Sequence, residues 1–221
     1  MGEVEIIEAS KELFIYSNII TYGGGADETI TQRIREEIER MWNEPQVQVP
    51  LKNDRYHVRF IITASMQKDI SEIAVYENDD PRNNYFRIEE EVLGNISFVD
   101  GLGSNSGYFK VENLYAGSTT AAHEYGHTLG LDHPQNTDLR GKGIPGIMYP
   151  RGTLVEPQFQ YDPLKPAGVT GGTMHPMHRR VQPADIVALK LHRLRFKNNK
   201  AVIGDFTNVY HFNHADYPFN G

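Results

Sequence analysis

The run His123-Glu124-Tyr125-Gly126-His127 places two imidazoles four residues apart, with a glutamate beside the first. On an α-helix, residues at that spacing lie one turn apart on the same face. Both rings can therefore reach one zinc ion. Glu124 sits a step round the helix, where its carboxylate can act on a metal-bound water without being a ligand. The pattern continues with Gly130 and then His133, each three residues on. A tetrahedral catalytic zinc takes three protein ligands and keeps one position open. A straight helix would carry residue 133 away from the metal, but a glycine can end the helix in a left-handed conformation and reverse the chain. Gly130 is thus expected to bring His133 back to the same ion, with Leu129 and Leu131 facing the core. The expected site is one Zn²⁺ on His123, His127 and His133, with Glu124 as the general base of a hydrolysis.

Two plainer readings compete with this one. The histidines could pack or face solvent, or the chain could hold zinc without turning anything over. Five fixed positions, three His, one Glu and one Gly, on a helix-like segment with Ala121 and Ala122 before it, weigh against the first. The second stays open as a zinc-stabilised binding module, or as an effector or toxin domain acting on a single target.

The rest of the chain must position these residues. Leu13 to Tyr22 is rich in Ile, Phe and Tyr and predicts a strand, followed by Gly23-Gly24-Gly25. No Gly-Lys-Ser/Thr follows that run, so it reads as a strand-to-helix turn rather than a phosphate loop. Asp27 to Trp42 repeats Ile30, Ile34, Ile38 and Met41 at helical spacing. Its cap is either Thr29, paired with Gln32, or Asp27. Tyr56 to Ala64 alternates as a second strand. Ile70–Tyr76 and Tyr85–Val92 are weaker strands around a turn at 78–84, and 94–100 and 107–111 are two short ones about a turn at 101–106. Thr119 to Leu129 is the helix that carries the chemistry. From Pro134 to Pro183 the chain is dense in Pro and Gly with no period, as functional loops often are. A last helix is expected from Pro183 to about Phe196, then a polar and aromatic tail with one short strand. The order of elements predicts an α+β or α/β fold with a mixed twisted sheet.

Composition sets outer limits. With 39% hydrophobic and 23% charged residues over 221 positions, the chain can bury a core and has the make-up of a soluble protein. A net charge of −7 argues against a nucleic-acid-binding surface, which would need a basic patch. With no cysteine, disulfides, a Cys nucleophile and Cys-ligated metal are all excluded. No apolar run approaches a membrane span, and Met1 to Ser10 holds three glutamates where a leader would be apolar. The sequon Asn95-Ile96-Ser97 reads as a chance match.

The segment from His123 to His133 resembles the long zinc-binding motif of the metzincin metallopeptidases. Ala-Ala-His-Glu, Leu-Gly-Leu-Asp-His and Met148-Tyr149-Pro150 are most similar to the matrixin branch. The resemblance covers most of the chain in layout and 121–150 in distinctive residues. It implies a zinc endopeptidase with a protein or peptide substrate, acting as a monomer, and a Met-turn beneath the ligands at Met148, with Met174 as the rival. It implies an N-terminal subdomain (1–133) with sheet, first helix and active-site helix. A largely irregular C-terminal subdomain (134–221) would hold the Met-turn, specificity loop and C-terminal helix, the two enclosing one cleft. Residues 181–191 resemble the start of that helix. The segment 94–100 would be the edge strand along the cleft. The family is mostly secreted, which the resemblance carries over, while the visible start equally fits a cytoplasmic protein. Calcium often accompanies the family, but no calcium loop stands in this sequence. His133 and Met148 lie further apart than in matrixins, and 151–180 is longer than the usual specificity loop. A Glu ligand on a later helix, as gluzincins use, is disfavoured by His133. Tyr149 reads as a packed residue rather than an oxyanion donor, His57 and His192 as structural, and His175, His178, His211, His214 and Asp216 as residues outside the metal site.

Overall fold

The computed structural model describes residues 1–216; the end of the tail, 217–221, lies outside them. The elements run β1 (Gly2–Ile7), β2 (Glu12–Tyr22), α1 (Glu28–Asn43), β3 (Gln48–Leu51), β4 (Asp54–Met66), α2 (Glu72–Tyr76), β5 (Asn83–Glu89), β6 (Phe98–Val99), β7 (Ser106–Lys110), α3 (Thr120–Thr128), α4 (Pro183–Ala188) and β8 (Lys200–Ile203). The eight strands form one sheet, with β3-β4-β2-β5-β7-β6 in order and β1 joined to β2 and β8. Strands β4, β2, β5 and β7 are parallel neighbours, while β3, β6, β1 and β8 pair antiparallel. The sheet is therefore mixed, as the order of elements predicts.

α1 forms where the periodicity places it. Its cap is Asp27, whose carboxylate accepts from the Ile30 amide at 2.6 Å, so the alternative cap at Thr29 is not used. Its inner face buries Ile34, Ile38, Met41 and Trp42, each contributing about 1.5–3 kcal/mol of hydrophobic burial. Trp42 meets Phe60 of β4 and Tyr125 of α3, with ring centroids 5.2 and 5.7 Å away. Its indole N–H donates to the Ala122 carbonyl at 3.0 Å. This aromatic contact fixes α3 against α1 and the sheet. Among the described residues no helix is long and apolar enough to cross a membrane.

Several expectations are corrected. Residues 72–76 are helical, because Ser71 caps Ala74 at 3.2 Å and only Val75 of the apolar run is buried. The strand expected over 94–100 shrinks to Phe98–Val99, since Gly94 and Asn95 take positive φ and bend the chain. The last helix stops at Ala188, past which Lys190 adopts a left-handed conformation (φ 51°) and returns Leu191 to the core. Strands β1 and β3 have no counterpart in the sequence reading, and β8 fills the short strand expected in the tail. The Gly23–Gly25 turn has its Gly24 amide bonded to the Glu89 carboxylate at 2.9 Å, an anion standing where a phosphate would need to bind.

Candidate metal centre

α3 has an unusual start. Thr119 at its N-cap is left-handed (φ 58°) and makes no side-chain cap bond. Capping comes instead from α1, where the buried Glu37 carboxylate accepts from the Ala122 amide at 3.2 Å. A carboxylate there also faces the positive end of the helix dipole. The helix floor is set by a close approach: a Cβ on Gly126 would lie 2.3 Å from Met148 Sδ and 3.2 Å from Trp42 Cζ2. Gly126→Ala is therefore expected to overpack this contact and cost about 1–3 kcal/mol, read as a lowered denaturation midpoint.

The C-terminal end follows the glycine argument closely. The Gly130 amide donates to the His127 carbonyl at 2.9 Å and the Leu131 amide to the Gly126 carbonyl at 3.0 Å. These two bonds make a Schellman cap, with Gly130 at φ 89°. Leu129 and Leu131 then enter the core on either side. Gly130→Ala forces a Cβ into that conformation and should cost about 1–2 kcal/mol. Because His133 hangs from this turn, the same variant should bind zinc more weakly than wild type in a competition titration with a chromophoric chelator.

The reversal brings three rings together. His133 Nε2 lies 3.0 Å from His123 Nε2 and 3.1 Å from His127 Nε2. Ligand atoms of the three all fall within 4.8 Å of one another, the one such group of three or more ligating side chains among the described residues. The opposite nitrogens decide the tautomers. His123 Nδ1 lies 2.7 Å from the Ile147 carbonyl and His127 Nδ1 2.7 Å from the Leu131 carbonyl. A carbonyl only accepts, so each Nδ1 carries the proton and each Nε2 presents a lone pair. Two lone pairs thus converge on a third ring nitrogen, an arrangement that asks for a cation. Donors about 2.0–2.1 Å from a tetrahedral zinc stand about 3.3 Å apart, close to the distances seen. The residues fit Zn²⁺, and the Nδ1 bonds to carbonyls are the orienting contacts that metal-binding histidines use. Burial holds His123 well below the usual imidazole range, with Arg179 and His127 adding to it, so the ring stays neutral and able to ligate.

Glu124 is 7% exposed and lines the same cleft. Burial pushes its carboxyl up to about 8, against the pull of Arg179 and Arg151. The cleft, about 440 Å³, runs between β6 and the loop that follows Met148. Met148 is buried in the main core beneath α3, whereas Met174 packs elsewhere, with Leu139 and Val155. Tyr149 packs against that second cluster. The remaining histidines lie outside the centre. His175 lies tilted against Tyr161, and His178 meets Phe159 edge-on. His211 meets Asp100 at 3.0 Å, and His214 stacks on Tyr108. His57 and His192, expected to be structural, are both exposed on the surface.

Sequence reasoning missed Glu37, Arg151 and Arg179. Glu37 sits within a charged helix face that reads as solvated, and the arginines lie in a loop with no period to reveal burial.

No family model matches this chain, and no curated protein matches it. Among solved structures, archaemetzincin from Methanopyrus kandleri is similar at a TM-score of 0.39 and 12% identity, over 80% of this chain and 95% of that one. The reading of the site therefore rests on its own side chains.

Proposed function

We infer that this protein is a zinc-dependent endopeptidase of the metzincin kind. The observation that carries the reading is the convergence of His123, His127 and His133, with both helix rings oriented by carbonyls to offer Nε2. These three residues would hold the ion, and Met148 beneath Gly126 would serve as the Met-turn floor. A bound Zn²⁺ would lower the pKa of a water from about 15.7 to about 7 and polarise the substrate carbonyl. Glu124, with a proton affinity near neutrality, takes a proton from the attacking water and passes it to the departing amine nitrogen. The largely buried position of its carboxylate keeps bulk water from competing for that proton.

β6 supports the substrate side of the reading. It is the last strand of the sheet order, and Phe98 and Val99 line the cleft. An extended peptide would add to that edge through backbone hydrogen bonds, with alternate side chains entering the cleft. The cleft would lie between the 1–133 and 134–221 parts of one catalytic domain, although β8 returns the later part to the sheet beside β1.

The test joins elemental analysis of the purified chain with cleavage of a peptide library, with and without a chelator. Zinc present and turnover abolished by the chelator is the expected result. Zinc present without turnover on any peptide would instead favour a zinc-stabilised binding module.

A further inference from the structure

Arg179 is 3% exposed, yet it lines the cleft. Its Nε donates to Thr119 Oγ1 at 2.9 Å and its Nη1 to the Tyr149 carbonyl at 3.2 Å. A guanidinium has five N–H donors, so these bonds leave others to spare. Among the described residues Arg179 has no salt-bridge partner. A buried charge without a paired, hydrogen-bonded counter-ion is costly, and proteins seldom keep one without use. The two carboxylates whose field reaches it, Glu124 and Glu37, have work elsewhere: one faces the metal centre, and the other caps α3.

Two further features share that wall. Arg151 lines the same cleft, with Nη2 held by Asn113 Oδ1 at 2.8 Å. Its charge opposes that of Arg179, so two like charges face one space. Thr120 Oγ1, from the first turn of α3, is buried there with no hydrogen-bond partner. An unpaired hydroxyl and two guanidiniums, one locked by burial and one anchored by Asn113, make a receptor for a small planar anion. A carboxylate matches the fork of an arginine and accepts from a hydroxyl as well.

We propose that Arg179, Arg151 and Thr120 form a subsite that binds a carboxylate of the substrate, beside the scissile bond. The proposal rests on the peptidase reading and narrows it to substrates that place an acidic group next to the cleaved bond. That group is either an Asp or Glu side chain or the free carboxyl end of a peptide. The simpler alternative, that Arg179 only balances Glu37 and Glu124, predicts indifference to the substrate's charge.

The zinc-loaded full chain is assayed on quenched-fluorescent peptides identical except at the residue after the scissile bond: Glu, Asp, Gln, Asn or Leu. A further pair ends one residue after that bond, as a free acid or an amide. Acidic peptides should exceed their amide isosteres in kcat/KM by about tenfold or more. The internal and terminal pairs show which carboxylate is preferred. Arg151→Gln and Arg179→Gln should shrink the acid-to-amide ratio, and Arg151→Glu should invert it. Each ratio is taken within one protein, so a smaller folded fraction cancels. Binding of the uncleaved Glu and Gln peptides to Glu124→Ala, by fluorescence anisotropy, gives a readout apart from turnover. Cleavage with equal rates for acid and amide would overturn the subsite and leave the peptidase standing. No cleavage with tighter binding of the acidic peptide would leave the subsite and overturn the peptidase. Absence of both would overturn both.

Discussion

Glu124→Ala should lose roughly 10²–10⁴-fold in peptide hydrolysis while keeping its zinc and its fold. The size follows from the role: no other carboxylate among the cleft-lining residues stands next to a ring of the metal centre on α3. Asp132, also in the cleft, is exposed and has one oxygen engaged with the His133 amide at 2.7 Å. The retained fold follows from the contacts, because the Glu124 carboxylate holds no hydrogen bond or ion pair among the described residues. Its removal takes a buried ionisable group with no hydrogen-bond partner out of the interior, so the thermal midpoint should stay level or rise. Steady-state rates, zinc content and a melting curve on one preparation check all three parts. Hydrolysis at the wild-type rate would mean that another group activates the water.

Removing the metal should be the largest perturbation of stability. A ligand bound only by the folded chain stabilises it by RT ln(1 + [L]/Kd), about 4.1 kcal/mol at a thousandfold excess over Kd. In a chain of this length about 1 kcal/mol moves the midpoint by roughly 2–4 °C. Chelation should therefore lower the midpoint by roughly 8–16 °C under those conditions. His123→Ala should start near the chelated value and respond little to chelator. It should fall somewhat lower still, since the Ile147 carbonyl then loses the His123 ring donor, at a cost of about 1–3 kcal/mol. Differential scanning calorimetry of both proteins, with and without chelator, reads the four midpoints. Equal shifts in wild type and variant would show that the stabilising ion sits elsewhere.

The legible parts of this molecule were those written in local spacing. Residues 123–133 state the helix, its reversal and the ring positions within eleven residues, and the Schellman cap at Gly130 follows from one side chain being absent. α1 was legible for the same reason, its apolar stripe repeating at 3.6 residues. β1 and β3 were not, because a strand of four to six residues with charged or Pro neighbours carries too few alternations to stand out. Residues 72–76 misled because their apolar side chains are mostly exposed, so hydrophobicity there says nothing about burial. The cleft wall was the least legible. Arg179 and Arg180 are neighbours of one type, yet one is buried against Thr119 and Tyr149 and the other faces solvent. That choice is made by partners some thirty and sixty residues away in the chain, a distance no local pattern encodes.

X-ray absorption at the zinc edge, on protein purified without added metal and then loaded with one equivalent, addresses the metal centre itself. Three imidazole nitrogens and one oxygen donor at about 2.0–2.1 Å, with ring multiple scattering reduced to two imidazoles in His133→Ala, is the predicted result. A first shell dominated by carboxylate or water oxygens, or one unchanged by that substitution, would contradict it.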